Sequence, residues 1–170
     1  MIAWLDANCG PGFWTMAPAG RSGIVNDALA IYFLKDGVLV PQYVHGDNYK
    51  LFSALRIPLG QGLSGWVAEN CKPILNGNPS VEPGYLNDPK MFSTLGSALA
   101  VPLEAVDSVL GVLTIYRDCR DAFTADDLSL VQATAPRLSF ELEGACSDGN
   151  SDWDHELDSA TGFPGPRILL

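Results

Sequence analysis

Two adjacent segments near the middle of the chain are apolar on both of their alternating faces. They are SALAVPLEAV at 97–106 and VLGVLTIYR at 109–117, and they meet at Asp107-Ser108. A strand that is apolar on both faces is covered on both sides. We therefore expect these two strands to lie at the centre of a sheet, with other parts of the chain packed on each face.

A β-hairpin is predicted upstream of these strands. The β-rich runs ALAIYFL at 28–34 and VLVPQYV at 38–44 flank Lys35-Asp36-Gly37, which is a turn signal. Pro41 cannot donate a hydrogen bond to a neighbouring strand. The second strand is therefore expected at an edge of the sheet or beside a bulge.

The segment between the hairpin and the central strands contains two short helices. Asp47 is expected to cap the first, DNYKLFSAL, whose Leu51 and Leu55 fall on one face. The passage IPLGQGLSGWVAENCKPILNG at 57–77 then predicts a tight turn, a helix that Lys72-Pro73 ends, and a short strand. Residues 76–96 form a long loop with aromatic residues, of the kind that often covers a cavity.

The longest predicted helix follows Phe123. Thr124 and Asp127 have the spacing of a capping box, and Pro136 is expected to remove one backbone hydrogen bond and bend the helix. Five apolar residues repeat along it at steps of 3, 4, 3 and 4: Leu128, Val131, Ala135, Leu138 and Leu142. This stripe fits a helix packed on its own sheet and a short dimer seam equally well.

Composition limits the possible partners. The 170 residues are 47% hydrophobic and 18% charged, which is typical of one folded domain. Twenty acidic against ten basic residues give a net charge of -10, so nucleic acid and anionic membranes are poor partners. No apolar run is long enough to span a bilayer and no secretory signal is recognised. The four widely spaced cysteines are expected to be reduced thiols in the cytoplasm.

Taken in order, these segments resemble the GAF family over residues 24–143. The residues that carry the resemblance are Gly60, Gly62, Gly65, Trp66, Pro73, Pro102, the segments 97–103 and 111–116, Phe123 and the segment 126–128. The resemblance implies an α+β fold with a GAF/PAS-like antiparallel sheet of five or six strands and helices on both faces. It places the domain at 24–145. The Gly- and Pro-rich segment 1–23 is expected to be irregular, where GAF domains usually begin with a helix.

The resemblance also implies a ligand pocket between the sheet and the loop. We expect Trp66, Tyr85, Phe92 and Ser97 to form its wall, because they flank the helix, loop and strand that enclose it. An apolar pocket with a few polar groups suits a small molecule, which the sequence does not identify, and no cofactor is indicated. No metal site is predicted, and His45 is expected to be a surface residue at a strand end.

The known chemistries of the family fit this chain poorly. The branch that reduces free methionine sulfoxide carries a cysteine in the helix where Ser64 stands, and others in a loop that has none here. The cyclic-nucleotide-binding branch has an Asn-Lys pair where this chain has Arg117-Asp118. Bilin attachment would also need a loop cysteine. Cys71 and Cys119 lie beside basic residues that could activate a thiol, but both are expected to be incidental.

The end of the chain resembles the start of a GGDEF, or diguanylate cyclase, domain. After a linker at 146–157, the segment 158–170 matches the family opening at Asp158, Thr161, Gly162, Pro164 and Arg167. These observations predict a non-catalytic sensory domain that forms homodimers through its terminal helix and controls a downstream output domain producing cyclic di-GMP. The alternatives are a methionine sulfoxide reductase-type enzyme and a dimerisation module without a ligand.

Overall fold

The computed structural model describes residues 26–82, 93–106 and 108–147. The described strands are β1 (Ala28–Lys35), β2 (Val38–Gly46), β3 (Ile57–Pro58), β4 (Ile74–Gly77), β5 (Ser97–Glu104) and β6 (Val109–Arg117). The described helices are α1 (Tyr49–Ala54), α2 (Gly62–Asn70), α3 (Ala125–Ser147) and a 3-10 helix (Pro79–Val81). The expectations for 1–23 and 158–170, and for the linker beyond Ser147, lie outside the described residues.

The six described strands form one antiparallel sheet in the order β3-β2-β1-β6-β5-β4. β6 lies between β1 and β5, so the doubly apolar strands are central, as their sequence predicts. The two-residue β3 was not predicted from the sequence. The α+β fold expected from the resemblance to the GAF family is confirmed.

The hairpin of β1 and β2 has both features that Pro41 predicts. The turn residues Asp36 and Gly37 have φ values of 51° and 78°, as a two-residue hairpin turn requires. The register shifts where Tyr32 pairs with Pro41, which marks a bulge. β3 pairs only with the first two residues of β2, so Pro41 also faces an unpaired edge.

Helices cover both faces of the sheet. One face, called here the α2 face, packs against α1 and α2, and its buried hydrophobic strand residues are Ala28, Ala30, Tyr32, Leu39, Ile57, Ala98, Ala100, Val112 and Tyr116. The other, the α3 face, packs against α3, and its strand residues are Leu29, Ile31, Leu99, Val101, Leu103, Leu113 and Ile115. All of these side chains are almost fully buried. Burial of apolar surface on both faces is the main stabilising contribution to the fold.

α2 lies unusually close to β3. A Cβ atom at Gly65 would clash with the backbone oxygen of Pro58, so only glycine fits at this point of the helix. The helix ends at Asn70, and Cys71 takes a left-handed conformation with φ of 52°. The sequence predicted this end within two residues, at Lys72-Pro73.

The predicted cap of α1 was wrong. Asn48, rather than Asp47, is the N-cap, and its side chain makes no capping hydrogen bond. The Asp47 N–H donates to the backbone oxygen of Asp27, which places Asp47 before the helix. Asn48 instead bonds Thr94 across the fold, with its amide nitrogen 2.9 Å from the Thr94 hydroxyl. This contact between distant segments is invisible in the local sequence.

The N-terminus of α3 has the predicted capping box. Asp127 accepts hydrogen bonds from the backbone N–H and the hydroxyl of Thr124, and its own N–H donates to that hydroxyl. Pro136 lies inside the helix. Four members of the apolar stripe are buried on the α3 face, and Leu128 is partly buried there. The stripe therefore packs on its own sheet.

None of the described helices is both long enough and apolar enough to cross a membrane.

Candidate functional site

The α2 face contains a line of polar groups within an otherwise apolar layer. Thr114 and Tyr116 of β6 and Tyr32 of β1 are fully buried there. The strand residues of the α3 face that are buried in the core are all aliphatic. The two faces of one sheet thus differ, because the described strands bury three hydroxyl-bearing residues on the α2 face, whereas Ser97 at the start of β5 is the one buried on the α3 face.

Small side chains flank these hydroxyl-bearing residues. In the strand register, Thr114 lies between Ala30 and Ala100, and Tyr116 lies between Ala28 and Ala98. Alanine side chains take up little space above a sheet, so they leave room beside the larger Thr114 and Tyr116. The Thr114 hydroxyl contacts Ser64 of α2, in the layer that packs on this face.

The two tyrosines form the end of the polar line. Their phenol oxygens are 3.4 Å apart, and the ring of Phe52 stacks on Tyr116 with 4.3 Å between centroids. Burial raises the pKa of both phenols well above the ordinary value of 10.0. Both tyrosines are therefore neutral hydrogen-bonding groups at physiological pH.

Glu82 forms the other end of the line. It caps α2, although it lies 18 residues after Ser64 in the chain. The N-cap residue Gln61 makes no side-chain hydrogen bond, so the first N–H groups of α2 need other partners. Oε1 of Glu82 accepts a bond from the Ser64 N–H at 2.9 Å and one from the Ser64 hydroxyl at 2.6 Å. The N–H of Leu63 also stabilises the charged carboxylate. One oxygen of Glu82 thus has a structural role.

Ser64 joins Glu82 to the strands. Its hydroxyl oxygen is 3.1 Å from that of Thr114. A serine hydroxyl has one proton, and Ser64 gives it to Glu82, so the Thr114 hydroxyl donates to Ser64. The Tyr116 phenol also interacts with the Thr114 side chain, and either phenol of the tyrosine pair could donate to the other. The hydroxyl protons of Ser64 and Thr114 thus point toward Glu82.

The second oxygen of Glu82 has no partner in the part of the chain that the structure describes. Oε2 is buried and makes no hydrogen bond, and the residue as a whole is fully buried. Burial raises the pKa of Glu82 above its ordinary value of 4.5, while the bonds from Ser64 and Leu63 oppose this shift. A buried, unsatisfied polar atom costs about 1–3 kcal/mol. Such an atom in a native structure needs an explanation.

A concave surface lies beside this line, on the outside of α2. Its volume is about 350 Å³, and its wall comes from α2, β4 and the 3-10 helix: Gly62, Leu63, Trp66, Ile74, Gly77, Asn78 and Val81. Leu63 and Val81 are the chain neighbours of Ser64 and Glu82, the two residues of the capping contact. The concave surface and the polar line therefore share one wall.

The residues predicted to line the pocket do not lie together in the structure. Trp66 lines the concave surface and is 39% exposed. Ser97 is buried, and its hydroxyl donates to the backbone oxygen of Cys119 at 2.7 Å. By strand alternation Ser97 lies on the opposite face from Ala98 and the polar line, so the structure does not bring it together with Trp66. Tyr85 and Phe92 lie outside the described residues.

Sequence reasoning did not select the polar line. Thr114 and Tyr116 stand two apart within an apolar strand, and this spacing could have indicated polar groups on one buried face. Ser64 was considered only as a replacement for cysteine. Glu82 lies in a segment rich in Pro and Asn, where a carboxylate is usually exposed, and no local pattern predicts its burial.

Asn76 connects β4 to the start of α3. Its side-chain amide donates to the backbone oxygen of Phe123 and accepts from the Phe123 N–H, both at 2.9 Å. Asn76 has φ of 56°, within the irregular part of β4 between Ile74 and Gly77. Ile74 and Gly77 both line the concave surface. Asn76 therefore links the wall of that surface to the longest helix.

The described cysteines and His45 lie outside the polar line. The described cysteines Cys71 and Cys119 are both exposed, and the pKa of Cys119 is raised, because Asp118 hydrogen-bonds its thiol. His45 is exposed at the end of β2, as predicted. Across the described ranges no group of three His, Cys, Asp or Glu side chains could hold a metal ion.

Several solved structures share this fold. The GAF domain of a phosphoenolpyruvate-protein phosphotransferase from Coxiella burnetii is 26% identical, with a TM-score of 0.62 over 73% of this chain and 76% of that one. The GAF domain of a two-component sensor histidine kinase from Bacillus halodurans is 19% identical, with a TM-score of 0.58 over 74% and 87%. A free methionine-R-sulfoxide reductase from Neisseria meningitidis, solved with its substrate, is 20% identical, with a TM-score of 0.57 over 72% and 71%. An enzyme and a sensor-kinase domain share the architecture, so the fold alone does not decide the function.

The sequence comparison agrees with the structural likeness. No curated protein sequence matches the chain. The sequence model of the GAF domain matches residues 14–143, which extends the family resemblance upstream of the predicted start at residue 24. The GGDEF-like segment at 158–170 lies beyond this match and gains no support from it. The chain belongs to the GAF domain family.

Proposed function

We propose that this chain is a regulatory GAF domain that binds a small molecule on its α2 face and performs no chemistry itself. The observation that carries the proposal is the buried Oε2 of Glu82, which has no partner, at the end of a line of hydroxyl groups. The capping of α2 uses Oε1 alone, so the stability of the helix does not account for the unsatisfied Oε2. A ligand that bonds Oε2 gives the unsatisfied atom a function.

The proposal includes an output through α3. Binding beside α2 moves the wall that contains β4, and Asn76 passes this change to Phe123 at the start of α3. Related GAF domains belong to a phosphotransferase and a sensor histidine kinase, which supports a regulatory role inside a bacterial cell. We propose that α3 leads to an output domain, and the resemblance at 158–170 suggests a diguanylate cyclase.

The enzyme alternative is less well supported by the site. At the centre of the polar line Ser64 offers a hydroxyl, whose proton is held by Glu82. Neither described cysteine takes part in this line, and both are exposed. Activity on free methionine sulfoxide that is lost on Cys71→Ser would favour the enzyme over the regulatory domain.

A thermal-shift screen against a library of bacterial metabolites tests the proposal. A compound at about one hundred times its Kd stabilises the folded state by about 2.7 kcal/mol. We expect at least one compound to raise the Tm of the wild type, and Thr114→Val to abolish the rise, because it removes a hydroxyl from the site without changing its shape. Thr134→Val is the matched control, since the Thr134 hydroxyl bonds only the turn below it in α3.

Two outcomes would contradict the proposal. The first is a library in which no compound stabilises the wild type. The second is stabilisation of Thr114→Val and Thr134→Val to the same extent, because a ligand that ignores Thr114 does not bind the α2 face as proposed.

A further inference from the structure

Neither protonation state of Glu82 satisfies Oε2. As a carboxylate, Oε2 is an acceptor without a donor, and as a carboxylic acid it presents a buried O–H that finds no acceptor. Oε1 is already occupied by two bonds from Ser64. The capping of α2 therefore explains one oxygen and leaves the other without a partner among the described residues.

Burial disfavours the charged form of Glu82, whereas the hydrogen bonds and the helix dipole around it favour that form. The hydroxyl groups of Ser64 and Thr114 are ordered so that their protons point toward Oε1. The carboxylate also lies at the N-terminus of α2, where the helix dipole stabilises negative charge. Among the described residues, no lysine, arginine or histidine contributes to the pKa of Glu82. The described part of the site therefore has hydrogen-bond donors for an anion but no cation to pair with it.

We propose that Oε2 of Glu82 binds the primary ammonium group of a small organic ligand. This inference rests on the proposed function and names the chemical class of the ligand at that site. An ammonium group donates the missing hydrogen bond and supplies the missing positive charge. The concave surface at Leu63 and Val81, the chain neighbours of Ser64 and Glu82, provides apolar contacts for the ligand's carbon skeleton.

Binding of an ammonium group should change the protonation of Glu82. The titratable groups that interact with Glu82 are Tyr32 from β1 and Tyr116 from β6, and both stay neutral at physiological pH. A cation favours the carboxylate, so it lowers the pKa of Glu82 and releases a proton on binding. Affinity for an ammonium ligand therefore rises with pH. A ligand that accepts a hydrogen bond from the protonated acid has the opposite pH dependence.

Paired probes test this inference with the whole chain. Ethanolamine, putrescine, agmatine and glycine amide are titrated by calorimetry, and the alcohols of the first two, ethylene glycol and butanediol, serve as uncharged counterparts. We expect at least one amine to bind the wild type. Its alcohol counterpart should bind at least about tenfold more weakly, because it loses a charged hydrogen bond. Repeating the titration in buffers of different ionisation enthalpy should show that a proton is released on binding.

Two variants locate the effect. Glu82→Gln keeps the shape and the acceptor for Ser64 but loses the charge, and we expect it to weaken amine binding at least about tenfold. Glu69→Gln, an exposed carboxylate of α2, is the matched control and should bind as the wild type. Ser64→Ala removes one bond to the carboxylate and should move the pH midpoint of binding upward, which gives a second readout if Glu82→Gln does not fold.

The inference is overturned if no amine binds, if alcohols bind as well as amines, or if Glu82→Gln binds amines like the wild type. Its failure is separable from that of the proposed function. A metabolite without an ammonium group that stabilises the wild type and not Thr114→Val leaves the regulatory proposal standing and removes the ammonium assignment.

Discussion

At the scale of single residues, burial and hydrogen bonding act on Glu82 in opposite directions. Burial raises its pKa, whereas the hydroxyl and N–H of Ser64 and the N–H of Leu63 lower it, and burial dominates. In the unfolded chain the same carboxyl has its ordinary pKa of 4.5. Between that value and the higher pKa of the folded state, the native protein binds more protons than the unfolded one. Its stability therefore falls as the pH rises through this window.

Glu82→Gln removes this dependence, because glutamine does not titrate. We expect the free energy of unfolding of the wild type to fall relative to that of Glu82→Gln as the pH rises above 4.5, by up to about 1.4 kcal/mol per pH unit. Urea unfolding of both proteins at a series of pH values measures the difference. A difference that does not change with pH would mean that Glu82 keeps an ordinary pKa in the folded protein.

At the scale of elements, the irregular strand β4 is the connection between the two faces of the sheet. Asn76 has a left-handed backbone conformation, and its side chain faces Phe123. The side-chain amide bonds both the N–H and the carbonyl of Phe123, the two groups that a neighbouring strand would bond. Phe123 is itself buried on the α3 face. The start of α3 is thus held by an element that also contributes Ile74 and Gly77 to the concave surface.

Asn76→Gly tests this connection, because glycine accepts the left-handed conformation and loses only the two hydrogen bonds. We expect a loss of about 1–3 kcal/mol in the free energy of unfolding. We also expect faster hydrogen exchange in the first turn of α3, at amides such as Leu128, which bonds Thr124. Asp36→Gly, at another left-handed residue in an exposed turn, is the control. Unchanged exchange in α3 would show that Asn76 does not hold the helix.

Elements were predictable from the sequence where the pattern is local and periodic. The hairpin with its Pro41 bulge, the central strands and the capping box of Thr124 and Asp127 follow from residues close together in the chain. The cap of α1 failed because Asn48 is positioned by Thr94, far along the chain. The partnership of Ser64 with Glu82 escaped prediction for the same reason, since burial of a carboxylate depends on contacts between distant segments.

At the scale of the whole molecule, the apolar stripe of α3 packs against the domain's own sheet. Val131, Ala135, Leu138 and Leu142 are buried on the α3 face, so a dimer through the terminal helix must use its outer surface. Phe140 lies on that surface and is 74% exposed. A large exposed aromatic residue on a helix is a suitable centre for an interface. We propose that a homodimer forms around Phe140.

Phe140→Glu is expected to convert the dimer to a monomer in sedimentation equilibrium without changing the Tm, because exposed substitutions alter stability by no more than about 0.5 kcal/mol. Gln132→Glu, on the same helix and also exposed, should leave the dimer intact. Deletion of residues 144–170 should weaken association as well. A wild type that is already a monomer would contradict the proposed dimer.

Native mass spectrometry of the protein purified from cells is the most direct test of the central claim, that the α2 face holds a small molecule at Glu82. The account predicts that the wild type retains a ligand with a basic nitrogen and that Glu82→Gln, prepared in the same way, has the mass of the polypeptide alone. A wild type that carries no added mass under gentle ionisation, or a ligand retained equally by Glu82→Gln, would contradict it.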